Sequence, residues 1–90
     1  MTTIDERVRR VARTVLDVNG VADLHGGTFG TLATYLPGEK VVGVKIDDTG
    51  IDIHVSLHTG SQIHSVADNI RAAVSRIEDG PISITIEDLV

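Results

Sequence analysis

The stretch Val42-Gly43-Val44-Lys45-Ile46-Asp47-Asp48-Thr49-Gly50-Ile51-Asp52-Ile53-His54-Val55-Ser56-Leu57 decides the fold class. Apolar and polar residues alternate on both sides of Asp47-Asp48-Thr49-Gly50, and a period of two marks strands with one buried and one wetted face, while the four central residues are turn formers. Setting Ile46 against Ile51 places Val44 opposite Ile53, Val42 opposite Val55 and Lys45 opposite Asp52. A one-residue slip would turn the whole apolar set of one strand to water. An antiparallel hairpin with that pairing is therefore predicted.

Toward the C-terminus, Ser61 is the expected N-cap of a helix with the inner stripe Ile63, Val66, Ala67, Ile70, Ala73, Val74 and Ile77, ending before Gly80-Pro81. Ile82, Ile84 and Ile86 then alternate with Ser83, Thr85 and Glu87, the pattern of a third amphipathic strand. Toward the N-terminus, Ile4, Val8, Val11, Ala12 and Val15 recur at helical spacing. Thr3 and Glu6 fit a capping box, and Asn19-Gly20 a helix stop, so a helix is predicted over residues 4–18. Between that helix and the hairpin, Val21 and Leu24 read as buried, while Gly26, Gly27 and Gly30 interrupt regular structure. Thr31 to Leu36 has strand-like composition before Pro37-Gly38. The predicted fold is α+β in two layers, with two helices on one face of a three- to four-stranded, mainly antiparallel sheet, in the order α-(β)-β-β-α-β. Residues 1–90 form one domain, with no repeat or low-complexity linker to divide them.

Composition narrows the chemistry. A 90-residue chain buries roughly 60% of its unfolded surface, and with one Phe, one Tyr and no Trp its core is aliphatic. Eight basic against thirteen acidic residues give a net charge of −5, which disfavours general attraction to nucleic acid or anionic lipid. The absence of cysteine excludes disulfides, thiol nucleophiles and thiolate metal sites, and fits a reducing cytoplasm. No apolar run approaches the ~20 residues of a membrane span, and Met-Thr-Thr-Ile-Asp-Glu does not read as a signal peptide.

The four histidines, His25, His54, His58 and His64, are where any acid–base or metal hypothesis starts. His54 and His58 share a strand face but stand roughly 13 Å apart at about 3.3 Å per residue, too far for one zinc ion. His54 can pair with Asp52, and His58 with His64, yet neither pair brings a third ligand or a nucleophile. No catalytic, cofactor-binding or metal site is expected, and no cofactor. Gly27-Thr28-Phe29-Gly30 reads G-x-x-G, the loop with which KH modules clamp a nucleic-acid backbone, but without Lys or Arg inside it. Such a loop belongs between two helices, whereas this one precedes a strand-like segment. Arg7, Arg9, Arg10 and Arg13 bring half the basic residues onto the first helix, where Glu6–Arg10 and Arg13–Asp17 are expected i,i+4 pairs. The candidate interaction surface is Arg9, Arg13, Phe29 and Tyr35, the last two being the only aromatic residues.

Three segments together carry a wider likeness: Val18-Asn19-Gly20-Val21-Ala22-Asp23-Leu24, Gly26-Gly27-Thr28-Phe29-Gly30-Thr31-Leu32-Ala33-Thr34-Tyr35-Leu36-Pro37-Gly38, and Val41-Val42-Gly43-Val44-Lys45-Ile46. The chain resembles the alkaline shock protein family of envelope stress response proteins, and over nearly its whole length is most similar to short members associated with actinobacteria. The resemblance implies a non-enzymatic bacterial protein of the cytoplasm that serves cell-envelope homeostasis. It further implies self-association into a homo-oligomer and tethering near the membrane by a small membrane-anchor protein. No family catalytic residue carries over. The alternative function is a small KH-like nucleic-acid-binding module, which the net charge and the uncharged loop make the lesser expectation.

Overall fold

The computed structural model describes residues 2–27, Gly30 and 32–90. It is an α+β fold with the order α1 (Ile4–Leu16), β1 (Val21–Leu24), β2 (Ala33–Leu36), β3 (Glu39–Val42), β4 (Val44–Asp47), β5 (Gly50–Leu57), α2 (Ile63–Ser75) and β6 (Ile82–Leu89). The main sheet is built on β5. On one edge it pairs antiparallel with β4 and β1, and on the other edge parallel with β6. A β5–α2–β6 crossover supplies the length that a parallel connection requires. β2 and β3 form a separate antiparallel pair.

The α1 prediction holds at its start and shortens at its end. Thr3 Oγ1 accepts the Glu6 amide proton at 3.1 Å, the capping bond the spacing called for. The helix closes at Leu16, with Asp17 as C-cap, rather than running to residue 18. Val8, Val11, Ala12 and Val15 are buried, while Ile4, the first residue of the helix, is exposed. Helix α2 starts at Ile63 with Gln62 in the N-cap position and no side-chain capping bond, so Ser61 does not cap it. Its buried stripe is Val66, Ile70 and Val74, while Ile63 is exposed. Ile77 lies past the helix end and still packs on the core.

The hairpin β4–β5 has the predicted register in its first part: Ile46↔Ile51, Lys45↔Asp52 and Val44↔Ile53. The fourth pair does not form. Val42 faces Ala33 in the β2–β3 hairpin, and Val55 faces Leu24 of β1. The physical reason is Gly43, whose φ of +78° turns the chain out of the strand. Strand β1 then takes the vacated edge, which explains why Val21 is buried in a segment with no clear strand pattern. At the junction the peptide group of His54 serves both neighbours. Its N–H donates to the Gly43 carbonyl at 2.9 Å, and its C=O accepts from the His25 amide at 2.8 Å. The strand-like segment expected over 31–36 is realised as β2, from Ala33; Thr31 lies outside the described residues.

The core between helices and sheet unites Val8, Val11 and Val15 of α1, Val66, Ile70 and Val74 of α2, and Val44, Ile51, Ile53, Val55 and Leu57 of the sheet. Each fully buried aliphatic side chain contributes roughly 1.5–3 kcal/mol of transfer free energy. The opposite sheet face carries Lys45, Asp52, His54, Ser83 and Thr85, the polar face that the alternation predicts.

Two outcomes test this construction. A Cβ at Gly43 would lie 2.6 Å from the His54 carbonyl oxygen and 2.9 Å from the His25 nitrogen, both backbone atoms. Gly43→Ala therefore costs at least about 2 kcal/mol in urea denaturation. Gly60→Ala, at φ +94° with open space around the new methyl, loses only about 1 kcal/mol. In the β4–β5 turn, Asp47 Oδ1 accepts from the Thr49 hydroxyl at 2.5 Å and the Thr49 amide at 2.8 Å. These bonds, the hydroxyl first, hold the Asp47 carboxyl below its ordinary value. A depressed folded-state value means stability that is present above the ordinary carboxylate range and is lost as the pH falls through the folded-state value. Denaturant midpoints measured across the acid limb will fall less steeply for Asp47→Asn than for the parent chain.

Candidate functional site

Side chains with chemical potential gather in three places: the polar sheet face, the exposed side of α1 with the β2–β3 hairpin, and the outer edge of β6. On the sheet face, alternation points Asp52 and His54 of β5 outward together, and the parallel register sets Thr85 of β6 beside His54. Between Val55 and Ser56 the β5–β6 register shifts, and this irregularity accompanies Glu87 in reaching back to the ring. His54 Nδ1 lies 2.9 Å from Glu87 Oε1, and Nε2 lies 3.3 Å from Asp52 Oδ1. The Asp52–His54 neighbourhood was legible from the sequence; Glu87 was not, because its approach depends on a parallel β6 at that register.

This trio is an imidazole bracketed by two carboxylates. Both ring nitrogens face carboxylate oxygens, so the three side chains bind one another and do not converge on an ion. Among the described residues, no group of three or more His, Cys, Asp or Glu side chains is placed to hold a metal. His58 lies past the end of β5 and is exposed, and His64 is exposed on α2. His25 is engaged locally, its Nδ1 accepting the Gly27 amide proton at 2.9 Å.

On α1 the arginines divide. Arg7 Nη2 donates to Glu78 Oε1 at 2.6 Å and its Nε to the same oxygen at 3.0 Å, tying the start of α1 to the chain that leaves α2. Arg9 pairs with Glu39 of β3, joining the helix to the hairpin. Hydrogen bonding to these carboxylates pushes both guanidinium groups further toward the protonated form. Among the described residues neither expected pair, Glu6–Arg10 or Arg13–Asp17, is formed; the ion pairs of the helix use Arg7 and Arg9 and reach partners far along the chain. Arg9 and Arg13 line one shallow hollow with Glu6 and Arg10. Tyr35 is on β2 and 73% exposed. Lys40, its cross-strand partner, holds its ammonium 5.5 Å from the ring centroid. The structure thus brings Arg9 and Arg13 together and links Arg9 to the hairpin that carries Tyr35. Phe29 lies outside the described residues, as does Thr28 of the G-x-x-G segment; that segment falls between β1 and β2, not between two helices.

The edge of β6 was not singled out from the sequence. Ile51 N–H donates to the Pro81 carbonyl at 2.9 Å. By the period of two, the amides and carbonyls of Ser83 and Thr85 then face β5, and those of Ile82, Ile84 and Ile86 face away from it. Among the described residues no strand pairs with that outer side. The Arg71 guanidinium reaches the Ile82 carbonyl at 3.5 Å, consistent with its outward direction. Helices of 13 residues each are too short to cross a membrane, and no described helix is long and apolar enough to do so.

No protein-family model, curated protein or solved structure matches this chain.

The trio makes a tautomer prediction. Neutral imidazole has one N–H and can donate to only one of the two carboxylates. Glu87 is the nearer and less exposed of the two, with its side chain 20% accessible against 45% for Asp52. The neutral His54 ring will therefore carry its proton on Nδ1, read from the separate ¹⁵N shifts of its two ring nitrogens; a proton on Nε2 would assign the stronger contact to Asp52.

Proposed function

We propose that this chain is a non-enzymatic scaffold of cell-envelope homeostasis that acts by protein–protein interaction near the membrane through a small membrane-anchor partner. The observation that carries the reading is the eight-residue edge strand β6, whose Ile82, Ile84 and Ile86 backbone groups are turned outward. An edge of this kind gives affinity through main-chain hydrogen bonds and accepts a strand from a partner without any chemical step. The resemblance to alkaline shock proteins gives the biological setting, a bacterial cytoplasmic one.

The cationic side of α1 is a weaker basis for the KH-like alternative. Arg7 and Arg9 are held by Glu78 and Glu39, which leaves Arg10 and Arg13 to meet a phosphate backbone on a molecule of net charge −5.

The test is affinity capture of the tagged chain from detergent-solubilised cells of its own source, with a nuclease-treated parallel. Retention of a small membrane protein after nuclease is the expected result. Recovery chiefly of RNA or DNA, lost with nuclease, with added salt and in the Arg10→Ala/Arg13→Ala variant, would replace the scaffold by the nucleic-acid module.

A further inference from the structure

We propose that the outer edge of β6 is occupied by the β6 of a second copy of this chain, antiparallel about a two-fold axis at Ile84. The inference rests on the reading of β6 as a docking edge and assigns that edge to a second copy, so that the membrane-anchor partner meets the pair at another surface. The first argument is register. Ile82, Ile84 and Ile86 are the residues whose backbone groups face outward. Pairing two such edges with Ile84 opposite Ile84 sets Ile82 opposite Ile86, so every facing pair presents an N–H and a C=O to its counterpart, and both bonds exchange once the Arg71 guanidinium, 3.5 Å from the Ile82 carbonyl, gives that carbonyl up. Between them Ser83 stands opposite Thr85, a small neutral pair on the polar face, and no like charges meet.

The second argument is charge. Arg71 of α2 sits over the Ile82 end of the strand, its guanidinium 3.5 Å from that carbonyl. The other end carries the exposed Asp88, Glu87 being held by His54 on the polar face. The edge is thus positive at its start and negative at its finish. A parallel arrangement would set cation beside cation. An antiparallel one brings each Arg71 toward the Asp88 end of the other copy, which is the self-complementarity that a two-fold interface requires. The third is burial. Ile82, Ile84 and Ile86 are only partly buried within one chain although they pack on the core. A second strand alongside would cover the side that β6, the edge of the four-stranded sheet, leaves open. The interface is one strand wide, so the pair is weak and concentration-dependent.

Sedimentation velocity on the purified chain over a concentration series, with amide hydrogen exchange read residue by residue, tests this. The expected result is reversible dimerisation, with the Ile82, Ile84 and Ile86 amides gaining protection as dimer forms. Ile84→Pro removes an outward N–H that no internal partner uses and should leave a monomer; should that variant fail to fold, the charge pair decides. Arg71→Glu and Asp88→Arg will each weaken the dimer at least severalfold, and the double variant will restore it. A chain that remains monomeric throughout the series overturns the proposal, as does a dimer in which these three amides stay unprotected or the double variant fails to recover. If such a chain still retains a membrane protein in the capture experiment, the scaffold reading survives the loss of the pairing. A dimer with protected β6 amides whose capture yields only nuclease-sensitive nucleic acid supports the pairing and removes the scaffold.

Discussion

Backbone hydrogen bonding along both edges of β5 is the constraint on which the other elements depend. One edge belongs to a single parallel neighbour. The other is shared end to end by two antiparallel strands that are far apart in the chain, and His54 bonds to the residues where they meet. A buried peptide group left unpaired costs about as much as a lost hydrogen bond. The junction therefore needs Gly43 and His25 at hydrogen-bonding distance, and a glycine is the residue that can stand there with positive φ against two backbone atoms. With β5 saturated, its inward residues Ile51, Ile53, Val55 and Leu57 present a continuous aliphatic surface, and the two helices cover it.

How far the fold was legible follows from this arrangement. Strict alternation in Val44–Ile46 and Ile51–Leu57, separated by turn residues, states both the pairing and which side is buried, and that part of the register is observed. Val42 continues the same alternation, yet it pairs with Ala33. Nothing in the local pattern distinguishes a Gly inside a strand from a Gly that ends one, and the difference lies in the arrival of β1 from elsewhere in the chain. Val21–Leu24 is four residues long, too short for periodicity to speak, and becomes a strand because an edge is available to it. The cap of α2 fails for a related reason: Ser61 has the right chemistry, but its amide bonds to the His58 carbonyl in the preceding turn, and the helix begins two residues later.

The candidate sites divide along the same line. Arg9, Arg13 and Tyr35 are surface features that composition could find, and each occupies the surface. The pairing of Arg9 with Glu39, like that of Arg7 with Glu78, could not be read, since only the folded chain brings those carboxylates close. Glu87 beside His54 and the outward face of Ile82, Ile84 and Ile86 depend on β6 lying parallel to β5, a fact about topology that side-chain alternation does not encode.

Because β1 and β4 abut on one edge, the chain from His25 to Gly43 leaves and re-enters the sheet at neighbouring bonds of a single residue. That excursion, with the β2–β3 hairpin inside it, is a closed bud on an otherwise continuous strand. The entropy of closing such a loop grows only logarithmically with its length. Chain can be added at the Pro37-Gly38 tip without altering the register of a single sheet bond, so this is the part of the molecule where related sequences are free to differ in size while keeping the same frame.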